Sequence, residues 1–295
     1  MKNWLKAFRL RTLPLSLSGI ILGSFLAKSM GTWSMNTFLL AMFTTILFQI
    51  LSNLANDLGD TLKGADNENR VGPKRTVQEG GISISKMKSA IVIFSVLSII
   101  SSSFLIRTAI NLSNVSILFY IILAVLCIVA AITYTMGKKA YGYLGLGDFF
   151  VFIFFGLVSV LGVIPLYTNS FDWIYIFPAS TIGFLSTAVL NLNNMRDQIN
   201  DREVGKNTLV VKIGAQNAKI YHTLLIVLSA TSLLLFSLII ENYIILYSLV
   251  IYIVLIKHLK YVWDVKDFKQ FDSELKKVAL CTFFIAIIFS LLINI

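Results

Sequence analysis

Residues 36–60 read NTFLLAMFTTILFQILSNLANDLGD: a long run without a single charge, closed by Asn53, Asn56, Asp57 and Asp60. An apolar run of about 20 residues crosses the roughly 30 Å hydrocarbon core of a bilayer as a helix. Spacings of three and four place Asn53, Asn56, Asp57 and Asp60 close together on one side of that helix end. The pattern recurs once. Residues 173–192 are again apolar and lead into Asn193, Asn194, Arg196, Asp197 and Asp201, the two carboxylates being four residues apart. Two such ends suggest two jaws that hold a divalent metal. Oxygen-only ligands suit magnesium, and magnesium held by a few carboxylates commonly takes substrate phosphate as a further ligand. The pattern therefore points to Mg2+ and to a substrate that carries a diphosphate.

Composition agrees with a membrane setting. The chain has 295 residues, of which 57% are hydrophobic and 14% charged, where a soluble domain carries about 25% charged residues. Nine spans are expected, near 13–31, 36–56, 89–106, 114–135, 149–167, 173–192, 221–240, 243–260 and 278–295. The eighth is the least regular: its apolar run stops at Ile256, and Lys257, His258 and Lys260 suggest a helix leaving the membrane. A lipid-exposed backbone must satisfy its own hydrogen bonds, so the spans are helices, and weak period-two patterning argues against a barrel. The expected fold is all-α, a polytopic bundle of nine transmembrane helices around a central cavity open to the cytoplasmic side, with 1–295 forming a single domain.

Orientation follows from the basic residues. With the N-terminus in the cytoplasm, 23 of the 25 Lys and Arg fall on that face, and only Lys28 and Arg107 on the other. This is the positive-inside pattern, and it places both Asp clusters at the cytoplasmic surface and the C-terminus opposite. The net charge of +10 follows from that topology. No platform of aromatic and basic residues of the kind that binds single strands stands out, so no nucleic acid is implied, although basic loops at this face attract anionic membrane lipid. The first span follows Trp4 and Phe8 and lacks a cleavage pattern. Cys127 and Cys281 lie in apolar spans and are expected to pack as small hydrophobes.

The loops after the two Asp clusters carry the remaining chemistry. In the first, Asp66 is a further metal ligand, and Arg70, Lys74 and Arg75 suit phosphate oxygens. Gly72-Pro73 forms a turn that folds Lys74 and Arg75 over the cavity mouth, where the planar fork of Arg75 suits a carboxylate. Asn53 and Asn56 lie deeper, where polar groups in a membrane helix tend to be functional. In the second, Arg196 and Lys206 flank Asp197 and Asp201, and Asn193 mirrors Asn53. A third patch, from Tyr134 to Asp148, offers Lys138 for diphosphate and the face of Tyr134 for a cationic transition state. His222 and His258 have no neighbour at metal-ligand spacing and read as structural, while Asp264, Asp267, Asp272 and Glu274 read as a solvated face. Spans two and six share the Asn-to-Asp pattern with four spans between them, which suggests two related four-helix halves plus one helix.

At these residues the chain resembles the UbiA-like intramembrane aromatic prenyltransferases. Asn56-Asp57-x-x-Asp60 and Asp197-x-x-x-Asp201 match the Asp-rich motifs that this superfamily places after its second and sixth helices. The broad family often has a further Asp where this chain has Gly64, with Asp66 two residues later. That departure is similar to the branch acting on 1,4-dihydroxy-2-naphthoate. So are Arg70-x-Gly72-Pro73-x-Arg75, Asn194-x-Arg196-Asp197, Gly205-Lys206-x-Thr208-Leu209 and Tyr141-Gly142-Tyr143-x-Gly145-Leu146-Gly147, although Glu is more familiar where Asp148 stands. The resemblance implies an enzyme of a bacterial cytoplasmic (inner) membrane, on the menaquinone pathway. It would move a polyprenyl group from polyprenyl diphosphate to 1,4-dihydroxy-2-naphthoate with Mg2+, losing diphosphate and carbon dioxide and giving a demethylmenaquinone. On that basis Asp57, Asp60, Asp197 and Asp201 are the catalytic set. A different aromatic acceptor or a phytyl donor is the alternative within the superfamily. An ion-coupled transporter would need polar or broken helices at the midplane, whereas the acidic residues here lie at span ends. The signature of the CDP-alcohol phosphotransferases is absent.

Overall fold

The apolar runs become helices whose starts are written in short polar side chains. Ser34 caps α3 (Met35–Leu62) by accepting from the Thr37 amide, and Ser83 caps α4 (Ile84–Thr108) by accepting from Lys86. Thr208 does the same for α10 (Leu209–Ile239) through Val211. The structure, a computed structural model, describes residues 1–67, 71–109, 113–168, 170 and 172–295; among them there is no strand.

A short helix α1 (Lys2–Phe8) ends at Arg9, whose φ of 49° turns the chain into α2 (Leu13–Ser29). After α3 and α4 comes α5 (Asn114–Thr133). The fifth span starts as α6 (Gly147–Val151) and passes through a π-helical stretch, Phe152–Val158. It then continues as α7 (Ser159–Leu161) and α8 (Pro165–Thr168). Next are α9 (Ile176–Glu203) and α10, which kinks at Gly214. A 3-10 stretch, Ile244–Ile251, leads into α11 (Tyr252–Asp264), and α12 (Phe271–Leu292) follows. Among the described residues nine segments are long and apolar enough to cross a membrane, and each overlaps one of the nine expected spans, the first, seventh and ninth starting ten to twelve residues earlier than expected. The outer faces of α4 and α5 expose Val92, Ile93, Val96, Ile100, Phe119, Ile122 and Val125, as lipid-facing surfaces do.

Two larger apolar cores form, and the bundle holds a cavity of about 340 Å³. One is built by α9, α10, α11 and α12 around Ile182, Leu185, Phe236 and Phe289, and the other by α1, α3 and α4 around Leu51, Leu54 and Met87. The cavity is walled by α2, α3, α4, α5 and the helix through the π-helical stretch. The helices that carry the Asp clusters, α3 and α9, are both 28 residues long and carry them at the same end, in keeping with the expected repeat. Gly59 lets α3 approach its neighbour closely: a Cβ there would stand 2.9 Å from the Thr135 carbonyl carbon.

α11 runs on past Ile256 to Asp264 with Lys257 and Lys260 exposed and His258 and Val262 buried, so the charges mark one face of an amphipathic helix. One expectation needs correction. The two histidines are not solitary, and Glu274 is not solvated. His222 Nε2 lies 2.8 Å from His258 Nε2, His258 Nδ1 pairs with Glu274, and Glu274 pairs with Lys277. All three members of the His–His–Glu chain are buried, which ties α10, α11 and α12 together. Burial of one partner alone would be costly, and the chain pairs every member with a neighbour, while His222 Nδ1 stays buried without a hydrogen bond among the described residues.

Candidate active site

The first cluster forms where α3 stops. Gly64, at φ 72°, takes the left-handed conformation that ends a helix, and the Ala65 and Asp66 amides return to the Asp60 carbonyl. Asp57 is 1% exposed. Its Oδ2 accepts from Thr76 Oγ1 at 2.6 Å and from the Thr76 amide at 3.3 Å, while Oδ1 is enclosed and accepts no hydrogen bond among the described residues. Asp60 Oδ1 accepts from the Tyr143 hydroxyl at 2.9 Å. Asp66 is buried, accepts from Thr61 Oγ1 at 3.4 Å and lies 3.7 Å from Arg75 Nε.

The second cluster lies on the last turns of α9. Arg196 donates to Asp197 through Nε at 2.9 Å and Nη2 at 2.6 Å, to Asp272 at the start of α12 at 2.6 Å, and to Asn193 Oδ1 at 2.9 Å. Lys206 joins the clusters: its ammonium is 3.7 Å from Asp60 Oδ1 and 3.8 Å from Asp201 Oδ1. Asn200 pins them a second time by donating to the Ala65 carbonyl at 2.9 Å.

Tyr143, in the segment before α6, is the hub. Besides holding Asp60, its ring carries the Lys63 ammonium 4.2 Å and the Lys206 ammonium 5.3 Å from its centre. Its carbonyl accepts from the Asn207 amide at 3.1 Å. Burial, then the negative charge of Asp60 and their hydrogen bond, pushes the Tyr143 phenol above its usual range, so it stays a donor. Burial also lowers the Lys63 ammonium, with Asp60 opposing and Lys206 adding to the effect.

Below this polar end the cavity opens. Asn53 and Asn56 line it from α3, and Tyr134, Tyr141, Phe150 and Phe154 form an aromatic wall. The Tyr134 and Tyr141 rings meet edge to face at 5.2 Å. Asn53 also braces the N-terminal arm through Phe8 and Thr12, and Asn56 accepts from Thr135.

Of the residues expected from the sequence, Asn53, Asn56 and Tyr134 line the cavity, Asp60, Asp201 and Lys206 meet in one bridge, Asp66 lies beside Arg75, Asp57 sits one turn before Asp60, and Asn193, Arg196 and Asp197 stand together on the last turns of α9. Lys74 and Lys138 stand exposed and make no hydrogen bond or ion pair among the described residues. Arg70 lies outside the described residues. Arg75 Nε lies 3.7 Å from Asp66 Oδ1. Thr76, Tyr143, Asn200 and Lys63 carry weight that the sequence alone does not assign; the run of aromatic and glycine residues around Tyr143 is the one visible signal.

Carboxylates with an enclosed, unbonded oxygen at Asp57 fit a hard cation such as magnesium. Among the described residues no three His, Cys, Asp or Glu side chains already stand together as a cage. Magnesium does not require one, since phosphate and water complete its six ligands.

The model of the UbiA prenyltransferase family matches residues 16–288. A 1,4-dihydroxy-2-naphthoate octaprenyltransferase of Haemophilus influenzae is 41% identical over 298 residues, covering 99% of this chain and 95% of that one. The protein of the same description from Escherichia coli is 46% identical over 235 residues, covering 80% and 76%. Among solved structures, the apo UbiA homolog from Aeropyrum pernix K1 superposes with a TM-score of 0.68 at 14% identity, covering 93% of this chain and 97% of that one. The UbiA homolog from Archaeoglobus fulgidus bound to DMAPP and Mg2+ gives 0.66 at 12%, covering 99% of each chain. These last two show the shared fold. On sequence, and with its Asp clusters joined over an apolar cavity, the chain belongs to the UbiA prenyltransferase family.

Proposed function

We propose that this protein transfers a polyprenyl group from polyprenyl diphosphate to 1,4-dihydroxy-2-naphthoate, releasing diphosphate and carbon dioxide. The observation that carries the reading is the bridge Asp60–Lys206–Asp201, which closes two carboxylate clusters over an aromatic-walled cavity. The two relatives named for this activity support the choice of acceptor.

Asp57, Asp60, Asp66, Asp197 and Asp201 would hold magnesium, which when bound draws charge onto the leaving diphosphate. Lys206, Lys63 and Arg75 supply positive charge beside it, and Arg196 holds Asp197 in place. As the C–O bond breaks, its electron pair goes to diphosphate. The faces of Tyr134 and Tyr141 are suited to the cationic allylic carbon, and the apolar cavity keeps water from it. The ring carbon bearing the carboxylate bonds to that carbon, and loss of carbon dioxide returns an electron pair to the ring. Arg70, Lys74 and Lys138 remain part of the proposed diphosphate surface. In this reading residues 1–295 act as one domain in a bacterial inner membrane. The N-terminus and the mouth of the cavity face the cytoplasm and the C-terminus the opposite side, as the distribution of Lys and Arg argues.

The test is to incubate purified protein in membranes with 1,4-dihydroxy-2-naphthoate, a polyprenyl diphosphate and magnesium. The decarboxylated prenyl naphthohydroquinone is expected. Turnover only with a different aromatic acceptor would transfer the assignment to another branch of the family.

A further inference from the structure

Gln49 is an uncharged amide two turns of α3 below Asn56, inside the apolar part of the chain, 8% exposed and lining the cavity. A polar side chain at such a depth in a membrane helix calls for a function. Its orientation can be deduced. Thr12 Oγ1 gives its one proton to the Arg9 carbonyl at 3.0 Å. It can therefore only accept from its other neighbours. Gln49 must then present Nε2 to it, at 3.1 Å, and the same Nε2 lies 3.4 Å from Asn53 Oδ1. Asn53 is oriented in turn, because its Nδ2 donates to the Phe8 carbonyl at 2.9 Å. With its NH2 end committed to the N-terminal arm and Asn53, Gln49 turns its Oε1 the other way, and that oxygen makes no hydrogen bond among the described residues.

We infer that Gln49 Oε1 accepts a hydrogen bond from a ring hydroxyl of the aromatic acceptor and so determines acceptor specificity. This rests on the prenyl-transfer reading above. An acceptor oxygen fixed in an apolar cavity selects a neutral O–H donor. The polyprenyl tail has none, and a carboxylate or phosphate oxygen would be repelled. Along α3, Gln49 lies about 12 Å from Asp57, which leaves room for a leaving-group oxygen, the allylic carbon and one ring in line. Of the two hydroxyls of 1,4-dihydroxy-2-naphthoate, the one beside the carboxylate is engaged with it internally. The 4-hydroxyl is the free donor, and it is the one that Gln49 reads. A site built to bond a hydroxyl discriminates against the analogue without it, because the buried acceptor is then left unpaired.

The experiment compares two ligands, 1,4-dihydroxy-2-naphthoate and 1-hydroxy-2-naphthoate, the second used as a competitive inhibitor. Gln49→Met should raise the KM for the dihydroxy acceptor about tenfold, the value of one hydrogen bond. It should leave the inhibition constant of the monohydroxy compound and the KM for the prenyl diphosphate unchanged. Equal weakening of both naphthoates overturns the inference. The wild-type protein gives an independent answer. Without donor it should bind the dihydroxy compound about tenfold more tightly than the monohydroxy one, and equal affinities overturn the inference. Wild-type protein that does not turn over 1,4-dihydroxy-2-naphthoate at all refutes the proposed function instead.

Discussion

Thr76 holds Asp57 in one rotamer, and its removal should be read as a loss of metal affinity. Two donors of the same residue, Oγ1 at 2.6 Å and the amide at 3.3 Å, meet Asp57 Oδ2 in a setting where both residues are buried. Oδ1 is left enclosed, without a hydrogen bond among the described residues. Thr76→Val keeps volume and branching and deletes the shorter of the two bonds. A hydrogen bond to a charged group contributes about 1.5–3 kcal/mol, equivalent to roughly 10- to 150-fold in an equilibrium constant. Loss of such a support typically weakens metal binding about 10–100-fold. The magnesium concentration giving half-maximal prenyl transfer should therefore rise by roughly one to two decades. At saturating magnesium the rate should approach that of the wild type, and Thr76→Ser should behave as wild type throughout. The assay is a magnesium titration of initial rate, paired with a titration of metal-induced thermal stabilisation, which needs no turnover. An unchanged magnesium midpoint in both titrations would refute the argument that Thr76 poises Asp57 for metal.

Asp57→Ala, Asp60→Ala, Asp197→Ala and Asp201→Ala should each lower the rate at least about a hundredfold, as loss of one electrostatic stabiliser does; near-normal rates in the Asp197 and Asp201 variants would reduce the second cluster to a plain helix end. Arg196→Leu leaves Asp197 buried beside a lost guanidinium, and should destabilise the fold by about 3–5 kcal/mol. The partly exposed Asp272 contributes little to this loss. Detergent-driven unfolding measures the effect, and adding Asp197→Asn should recover much of it. Tyr143→Phe should reduce turnover without moving the alkaline limb of the pH–rate profile: burial and Asp60 hold the phenol above its usual range, so it remains protonated across the working range. A limb that shifts in the variant would assign that ionisation to Tyr143.

Both Asp clusters are legible in the sequence, and so are the nine spans. Each rests on neighbours in the chain: an uncharged run long enough for a bilayer, and carboxylates three or four residues apart at its end. The residues that complete the site come from elsewhere. Thr76 reaches Asp57 across a loop, Tyr143 reaches Asp60 from beyond α5, and Asn200 reaches Ala65 from α9. Threonine, tyrosine and asparagine of this kind occur throughout the chain, and nothing in their local spacing marks these three. The His222–His258–Glu274 chain is hidden for the same reason: each member looks isolated or solvated until three helices pack and exclude water around them. Gln49 reads as one polar residue in an apolar run, and which end of its amide meets Thr12 follows only from the proton that Thr12 gives to Arg9. Hydropathy and helical period are local and additive, so the sequence alone determined the helices and the two Asp-bearing ends. Hydrogen-bond partners between distant segments depend on which helix faces which and at what depth. Packing of the whole bundle sets that, so only the tertiary structure decided how the site is closed.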